Sequence, residues 1–133
     1  MRLLIDTNVF LWAAGVERGL TARDKELIRA SDTIFLSAVS AWEISIKWAK
    51  GRLTLPAPPE KMIESLINVG GLERLPIRFE DTYAVTQLPE IKDHRDPFDR
   101  LLVAQAKRIG LPLMTSDDRL ADYGVELIVC NPN

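Results

Sequence analysis

Cysteine and histidine are almost absent from this chain. Cys130 is the one cysteine and His94 the one histidine among 133 residues. A lone cysteine cannot close an internal disulfide, which fits a reducing cytoplasm and excludes a metal site built on cysteines. A single histidine likewise excludes zinc chemistry of the HExxH kind, which needs two. Metal chemistry in this chain would therefore have to use oxygen ligands.

Long apolar runs and an excess of basic charge are also missing. The apolar runs extend over a few residues, whereas about 20 are needed to cross a bilayer, so we expect no membrane segment. Met1 is followed at once by a strand-like stretch, so we expect no secretory leader and a cytoplasmic location. The net charge of −2 creates no general attraction for nucleic acid, although a local basic rim beside an acidic pocket could supply one.

Short β-rich runs alternate along the chain with segments of helical periodicity. The strands are predicted at residues 2–6, 33–38, 72–77, 111–116 and 125–130, and the helices at residues 7–15, 21–30, 40–51, 59–69 and 80–88 and within 94–110. Such alternation predicts an α/β sandwich, in which a central parallel sheet is flanked by helices on both faces. Because no repeat or linker interrupts the pattern, we expect one domain.

Four acidic residues fall at the predicted carboxyl edge of this sheet. Asp6 ends the first strand and Asp117 follows the fourth. Glu43 and Asp99 lie in the first turns of two helices. Ligands of such sheets bind in the crevice at this edge, where four carboxylates would repel one another unless protonated or bridged by cations. Oxygen ligands suit Mg²⁺ or Mn²⁺, and such a cluster supports metal-assisted attack of water on a phosphodiester.

The first two of these acids also have a purely structural interpretation. Asp6 could be only the N-cap of the helix that begins at Thr7. Glu43 could complete a capping box with Ser40 and form an i,i+4 ion pair with Lys47.

The other acids raise the same question. Asp96 precedes Pro97 and is predicted to be an N-cap, with proline at the first helical position. Asp99 would then occupy the third position, where a carboxylate favours the helix dipole. Asp117 and Asp118 could cap the short element that follows them. Single positions leave both interpretations open, and the shared crevice is what favours a metal site.

Three stretches resemble one known family. These are LLIDTNVFLW, SAVSAWEISIKWAKGRLTLP, and HRDPFDRLLVAQA followed by LPLMTSDDRL. Running from Arg2 to about Val129, they resemble the PIN-domain family and, more closely, the VapC-type ribonuclease toxins of bacterial toxin–antitoxin pairs. The resemblance implies a PIN-like α/β/α sandwich that occupies residues 1–133 as a single domain.

The resemblance also implies an activity, a Mg²⁺- or Mn²⁺-dependent endoribonuclease. The family's catalytic acids fall on Asp6, Glu43, Asp99 and Asp117, and all four match in type. By this resemblance Asp6 and Asp99 bind the metal directly, and Asp117 binds it directly or through water. Glu43 would orient or deprotonate the attacking water.

The partners that the resemblance implies are an RNA substrate, a VapB-type antitoxin that inhibits the enzyme, and a second copy of the chain in a homodimer. The alternative is a catalytically inactive PIN-like module that binds RNA or protein. A phosphatase of the haloacid dehalogenase type would need DxD after the first strand, where this chain has DTN.

Other residues could support a site or serve ordinary structural roles. Hydroxyls near the strand ends that could donate to the acids belong to Thr7, Ser37 and Ser116. Groups that could touch RNA phosphate or an antitoxin are His94, Arg95 and Arg100, and cations that could steer RNA are Lys47, Lys50 and Arg52. The tryptophans Trp12, Trp42 and Trp48 are predicted to be core or dimer contacts rather than base-stacking platforms, and Cys130 a strand residue.

Overall fold

Five parallel strands and six α-helices make up the computed structural model, which describes residues 1–93 and 95–130. The strands are β1 (Arg2–Ile5), β2 (Thr33–Ser37), β3 (Glu73–Leu75), β4 (Leu113–Thr115) and β5 (Leu127–Val129). The helices are α1 (Thr7–Ala13), α2 (Ala22–Ala30), α3 (Ala38–Ala49), α4 (Pro59–Gly70), α5 (Phe79–Ala84) and α6 (Pro97–Ile109). Short 3₁₀ segments occupy Val85–Gln87 and Asp118–Tyr123. The predicted α/β sandwich is confirmed.

The strand order of the sheet is β3-β2-β1-β4-β5, with β1 at the centre. Leu4 of β1 pairs with Phe35 of β2 on one side and with Leu113 of β4 on the other. The chain therefore runs outwards from β1 to β3 and then crosses back to the opposite side of β1. Because the order reverses between β1 and β4, a crevice is expected at their carboxyl ends, where Asp6 and Asp117 follow.

The hydrophobic core lies in two layers, one on each face of the sheet. Leu3 and Ile5 pack with Phe10 of α1 on one face. Leu4, between them in sequence, packs with Leu102 of α6 on the other. Successive strand side chains point to opposite faces, so burial on both faces requires the continuous apolar run that β1 has. This packing fixes the direction in which α1 and α6 leave the crevice.

Helix α6 begins as the sequence predicted. The Asp96 carboxylate accepts hydrogen bonds from the backbone N–H of Phe98 (2.8 Å) and of Asp99 (3.2 Å), and Pro97 takes the first helical position. The helix ends at Gly110, whose φ of 79° is the left-handed conformation that glycine adopts without strain. The N-cap assignment of Asp96 is therefore confirmed. His94 lies outside the described residues.

Helix α3 begins two residues earlier than predicted. Its N-cap is Ser37, whose Oγ accepts a hydrogen bond from the Val39 backbone N–H at 3.0 Å. The capping box of Ser40 and Glu43 is therefore wrong, because Ser40 lies inside the helix. The helix starts where β2 ends, and a local serine pattern could not show which serine would be the cap.

The stretch predicted as one helix at residues 80–88 consists of two shorter elements. Helix α5 covers Phe79–Ala84, and a 3₁₀ segment follows at Val85–Gln87. The Asp81 carboxylate accepts a hydrogen bond from the Arg78 backbone N–H at 2.8 Å, which fixes the helix start. Among the helices described, none is long and apolar enough to span a bilayer.

Candidate active site

A cleft of about 190 Å³ lies at the carboxyl ends of β1 and β4. Five carboxylates and one ammonium group are found among its lining residues, which are Asp6, Thr7, Asn8, Glu43, Lys47, Asp96, Asp99, Ser116 and Asp117. The structure thus brings all four acids singled out in the sequence into one cavity. A larger groove of about 390 Å³ runs between α3, α4 and β3, and its lining is mostly apolar. The smaller cleft, and not the apolar groove, therefore holds the carboxylates expected of a metal site.

Asp6 is buried at the floor of this cleft. Its Oδ1 accepts a hydrogen bond from the Thr7 backbone N–H at 2.6 Å, which makes it the N-cap of α1. Its Oδ2 accepts from the Thr115 hydroxyl at 2.7 Å. Burial raises the pKa of Asp6 above its ordinary 3.8, the two hydrogen bonds partly offset this, and the charges of Glu43 and Asp117 add to it. Asp6 is therefore both a cap and a cleft residue.

Both carboxylate oxygens of Glu43 are engaged, from two different helices. Oε1 accepts a hydrogen bond from the Thr7 hydroxyl at 2.7 Å, and Oε2 accepts from Lys47 Nζ at 2.6 Å. The Thr7 hydroxyl is also 2.9 Å from the hydroxyl of Ser40. Glu43 is only 8% exposed. The predicted i,i+4 pair with Lys47 is confirmed, and it lies on the cleft wall.

Asp99 lies in the first turn of α6, half-buried, with its charge poorly compensated. Within the described part of the chain, no side chain donates a hydrogen bond to its carboxylate. Burial, followed by the negative charges of Asp6, Asp96, Glu43 and Asp117, raises the pKa of Asp99 from 3.8 to about 7. Such a carboxyl group gains most from a nearby cation.

Asp117 lies two residues beyond the end of β4. Its Oδ1 accepts hydrogen bonds from the Arg119 backbone N–H (3.1 Å) and Nε (2.9 Å), and its Oδ2 accepts from Nη2 at 3.0 Å. Asp117 is thus the N-cap of the 3₁₀ segment at Asp118–Tyr123, as the structural interpretation predicted. It also lines the cleft, so the two roles again coincide.

The donor set fits a hard divalent cation in chemical type. The polar atoms facing the cleft are chiefly carboxylate and hydroxyl oxygens, which Mg²⁺ and Mn²⁺ prefer. Five carboxylates and one ammonium group line the cleft, so its negative charge exceeds its positive charge. Within residues 1–93 and 95–130, however, no three acidic side chains already stand in coordinating geometry. An ion would therefore draw the carboxylates together, in competition with Lys47 and Arg119.

The family follows from the sequence as a whole. The model of the PIN domain matches residues 3–126, which is nearly the entire chain. The chain belongs to the PIN-domain family. No curated protein matches it in sequence.

Solved structures share the fold of this PIN domain at low sequence identity. VapBC2 from Rickettsia felis, bound to a DNA fragment from its promoter, has a TM-score of 0.72 and 18% identity, over 98% of this chain and 100% of that one. DNA-bound VapBC from Salmonella typhimurium has a TM-score of 0.69 and 16% identity, over 97% and 98%. VapBC-5 from Mycobacterium tuberculosis, a member of the VapBC family of toxin–antitoxin systems, has a TM-score of 0.61 and 19% identity, over 96% and 98%.

The residue that sequence reasoning missed in this PIN domain is Thr115. Its hydroxyl donates to Asp6 Oδ2 and accepts from the Asp117 backbone N–H at 3.1 Å, so it joins two of the acids. Ser116, singled out in its place, is exposed and lines the cleft. Alternation along β4 gave no signal that separates the two hydroxyls, because every residue of this strand is buried. Thr115 ends β4 and is fully buried, whereas Ser116 is the first residue outside the strand.

Two further polar candidates have structural roles. Ser37 is buried and donates to the Gln105 side chain as well as capping α3, and it does not line the cleft. Arg100 donates to the Pro89 backbone carbonyl at 3.0 Å, and its guanidinium lies 5.6 Å from the ring centre of Tyr123. Arg100 therefore anchors the loop before α6. Arg95 is exposed.

The tryptophans divide into one core contact and two exposed rings. Trp12 packs against the core, as predicted. Trp42 is 52% exposed and Trp48 is 41% exposed, so neither is a core contact, and the alternative of a dimer contact stays a prediction. Trp42 meets Phe98 edge to face at 4.7 Å, which joins α3 to α6 beside the cleft. Helical spacing could not show whether another element covers either ring.

Proposed function

We propose that this PIN domain is a Mg²⁺- or Mn²⁺-dependent endoribonuclease, acting in the cytoplasm as the VapC-type toxin of a toxin–antitoxin pair. The observation that carries the proposal is the convergence of Asp6, Glu43, Asp99 and Asp117 on one cleft. These are the positions that match the family's catalytic acids. A cleft with such an excess of negative charge repels a polyanion, so RNA could bind productively there only with cations present.

Three of the acids would hold the cation. Asp6 and Asp99 are the strongest candidates, because burial first and then the neighbouring negative charges raise the pKa of each, and a cation would stabilise the ionised forms. Asp117 would contribute directly or through water, after release from Arg119. When bound, Mg²⁺ or Mn²⁺ supplies Lewis-acid stabilisation of charge on the phosphate and makes water a nucleophile at neutral pH.

Glu43 would accept or orient the proton of the attacking water. Its two oxygens are fixed by Thr7 and Lys47, so the carboxylate has one defined orientation. A general base must lie within hydrogen-bond reach of the proton it takes, and a fixed carboxylate meets that demand better than a mobile one. The carboxylate oxygens keep further lone pairs that can accept the proton.

Cleavage of RNA by the purified protein tests the activity. The wild-type protein, freed of antitoxin, is incubated with an RNA pool in EDTA, in Mg²⁺ and in Mn²⁺, and new 5′ ends are sequenced. We expect the RNA to be cut in Mg²⁺ or in Mn²⁺ and to stay intact in EDTA. Loss of cleavage in Asp99→Asn, with retention in Asp96→Asn, assigns the activity to this cleft, because asparagine caps a helix nearly as well as aspartate. A protein that binds RNA without cutting it under any condition would be the inactive binding module instead.

The partners belong to the same proposal. The structural relatives named above are VapBC complexes, which supports a VapB-type antitoxin as the inhibitor of this chain. Co-expression with the product of the adjacent reading frame should restore growth and abolish cleavage. We also propose that the chain is a single domain that forms a homodimer, which light scattering of the antitoxin-free protein would measure. A monomeric mass would contradict the dimer and leave the nuclease assignment intact.

A further inference from the structure

Lys47 is the one cation among the described residues that line the carboxylate cleft. Its Nζ lies 2.6 Å from Glu43 Oε2, and its side chain is 46% exposed, whereas that of Glu43 is 10% exposed. The ammonium group therefore reaches from solvent over a nearly buried carboxylate. The ammonium group also interacts electrostatically with the carboxylates of Asp96 and Asp99.

An ordinary helix-surface ion pair does not account for this arrangement. Pairs at i,i+4 normally join two exposed groups and stabilise a helix by about 0.3–0.5 kcal/mol. Here the carboxylate is buried, and its second oxygen is held by Thr7 from another helix. Burial by itself would lower the pKa of Lys47, but the hydrogen bond and charge of Glu43 with the other carboxylates raise it instead. Lys47 therefore stays cationic throughout the neutral range.

We infer that Lys47 is a tethered cation of the cleft with two opposed effects: it positions Glu43 for the reaction, and it competes with the divalent ion. The first effect follows from the hydrogen bond to Glu43 Oε2, which holds the carboxylate in one orientation. The second follows from charge, because the same carboxylates that attract a divalent ion attract the ammonium. This inference rests on the proposed function, since it assigns a role within the same site.

The two effects predict opposite changes when Lys47 is replaced by an uncharged residue of similar length. In Lys47→Met, titration of Mn²⁺ by calorimetry should show a dissociation constant lower by about tenfold, because one repelling charge is gone. In the RNA assay kcat should fall at least about tenfold, while KM stays within about threefold. Lys50→Met is the matched control, since Lys50 is exposed on the same helix end and does not line the cleft. Lys47→Arg, which keeps a cation in reach of Glu43, should recover most of kcat.

The outcomes separate this inference from the proposed function. The claim that Lys47 competes with the ion is overturned if Lys47→Met binds Mn²⁺ with the same affinity as Lys50→Met, or more weakly than the wild type. A raised KM with unchanged kcat would make Lys47 a phosphate-binding residue and overturns the positioning role. If the wild type binds Mn²⁺ but cuts no RNA, the nuclease proposal fails, and the Mn²⁺ titration still decides the competition. A wild type that binds neither Mn²⁺ nor Mg²⁺ overturns both.

Discussion

Replacing Asp99 with asparagine should stabilise the metal-free protein by an amount that grows as pH rises above about 4 and is complete above about 7. The pKa of Asp99 is 3.8 in an unfolded chain and about 7 in the fold. Between these values the folded state binds more protons than the unfolded state, so stability falls as pH rises through this window. Above pH 7 the whole penalty of an ionised Asp99 is present. Asparagine cannot ionise and so removes the penalty.

The structure sets an upper limit on the size of this effect. A pKa difference of about 3 corresponds to roughly 4 kcal/mol. Asp99 is only partly buried, so solvent screens the repulsion, and loss of its favourable interaction with the dipole of α6 subtracts about 0.3–1 kcal/mol. We therefore expect Asp99→Asn to raise the free energy of unfolding by about 1–2 kcal/mol at pH 8. At pH 4 the change should approach zero, because the folded wild type is then protonated at Asp99.

Urea unfolding in EDTA, followed by circular dichroism at pH 4 and pH 8, measures both values. Asp122→Asn is the matched control, because Asp122 is exposed and does not line the cleft. Its substitution should change stability by less than about 0.5 kcal/mol at either pH. If Asp99→Asn has the same effect at both pH values, or lowers stability at pH 8, burial and the neighbouring carboxylates do not raise the pKa of Asp99, and Asp99 is not the acid that would gain most from a cation.

Three further predictions concern the surroundings of the cleft and the core. Thr115→Val removes the hydroxyl that donates to Asp6, and should lower the free energy of unfolding by about 1–3 kcal/mol in urea titrations, whereas Thr115→Ser should cost much less. Asp81→Ala leaves Arg108 without its buried partner and should lower the free energy of unfolding by about 3 kcal/mol at pH 7. Because the ion pair holds the pKa of Asp81 below its ordinary value, this loss of stability should shrink as pH falls below about 4. Cys130 is buried, and its burial and then the charge of Asp24 raise the pKa of its thiol to about 12. A thiol reagent at pH 8 should therefore label Cys130 only after unfolding. Rapid labelling of the native protein would show that the C-terminal strand opens.

The elements of the fold that could be predicted are those with local causes. Asp96 before Pro97 sets the start of α6 by capping, and this assignment holds. The order of the strands in the sheet was not predictable, because it depends on pairing between segments far apart in sequence. Leu4 pairs with Leu113, for example, more than a hundred residues later. Hydrophobic periodicity shows which face of a helix or strand is buried, but it does not show which other element packs against that face.

The polar network behind the cleft shows the same limit. Gln105 is fully buried, receives a hydrogen bond from Ser37 of β2, and donates to Asp81 of α5 at 3.0 Å. In sequence Gln105 is one polar residue in the apolar run of α6, and no local pattern indicates its partners. Thr115 was missed for a related reason, since its neighbour Ser116 is equally a hydroxyl. Which of the two points inward is decided by the end of β4.

The acids of the cleft have many hydrogen-bonding and ion-pair partners for a physical reason. Each ionised carboxylate weakens the fold by repelling the others, so the chain supplies donors that compensate the charge without filling the cavity. Asp6 has Thr115, Glu43 has Thr7 and Lys47, and Asp117 has Arg119. Asp99 receives no such donor from the described side chains, and its raised pKa follows. Asp99 is thus the acid that would gain most from a divalent cation. A hydrogen-bond donor to Asp99, like the Thr115 hydroxyl that donates to Asp6, would stabilise the empty cleft but would lower its affinity for the ion. The order of cation affinity among variants of these residues should therefore be the inverse of their order of metal-free stability.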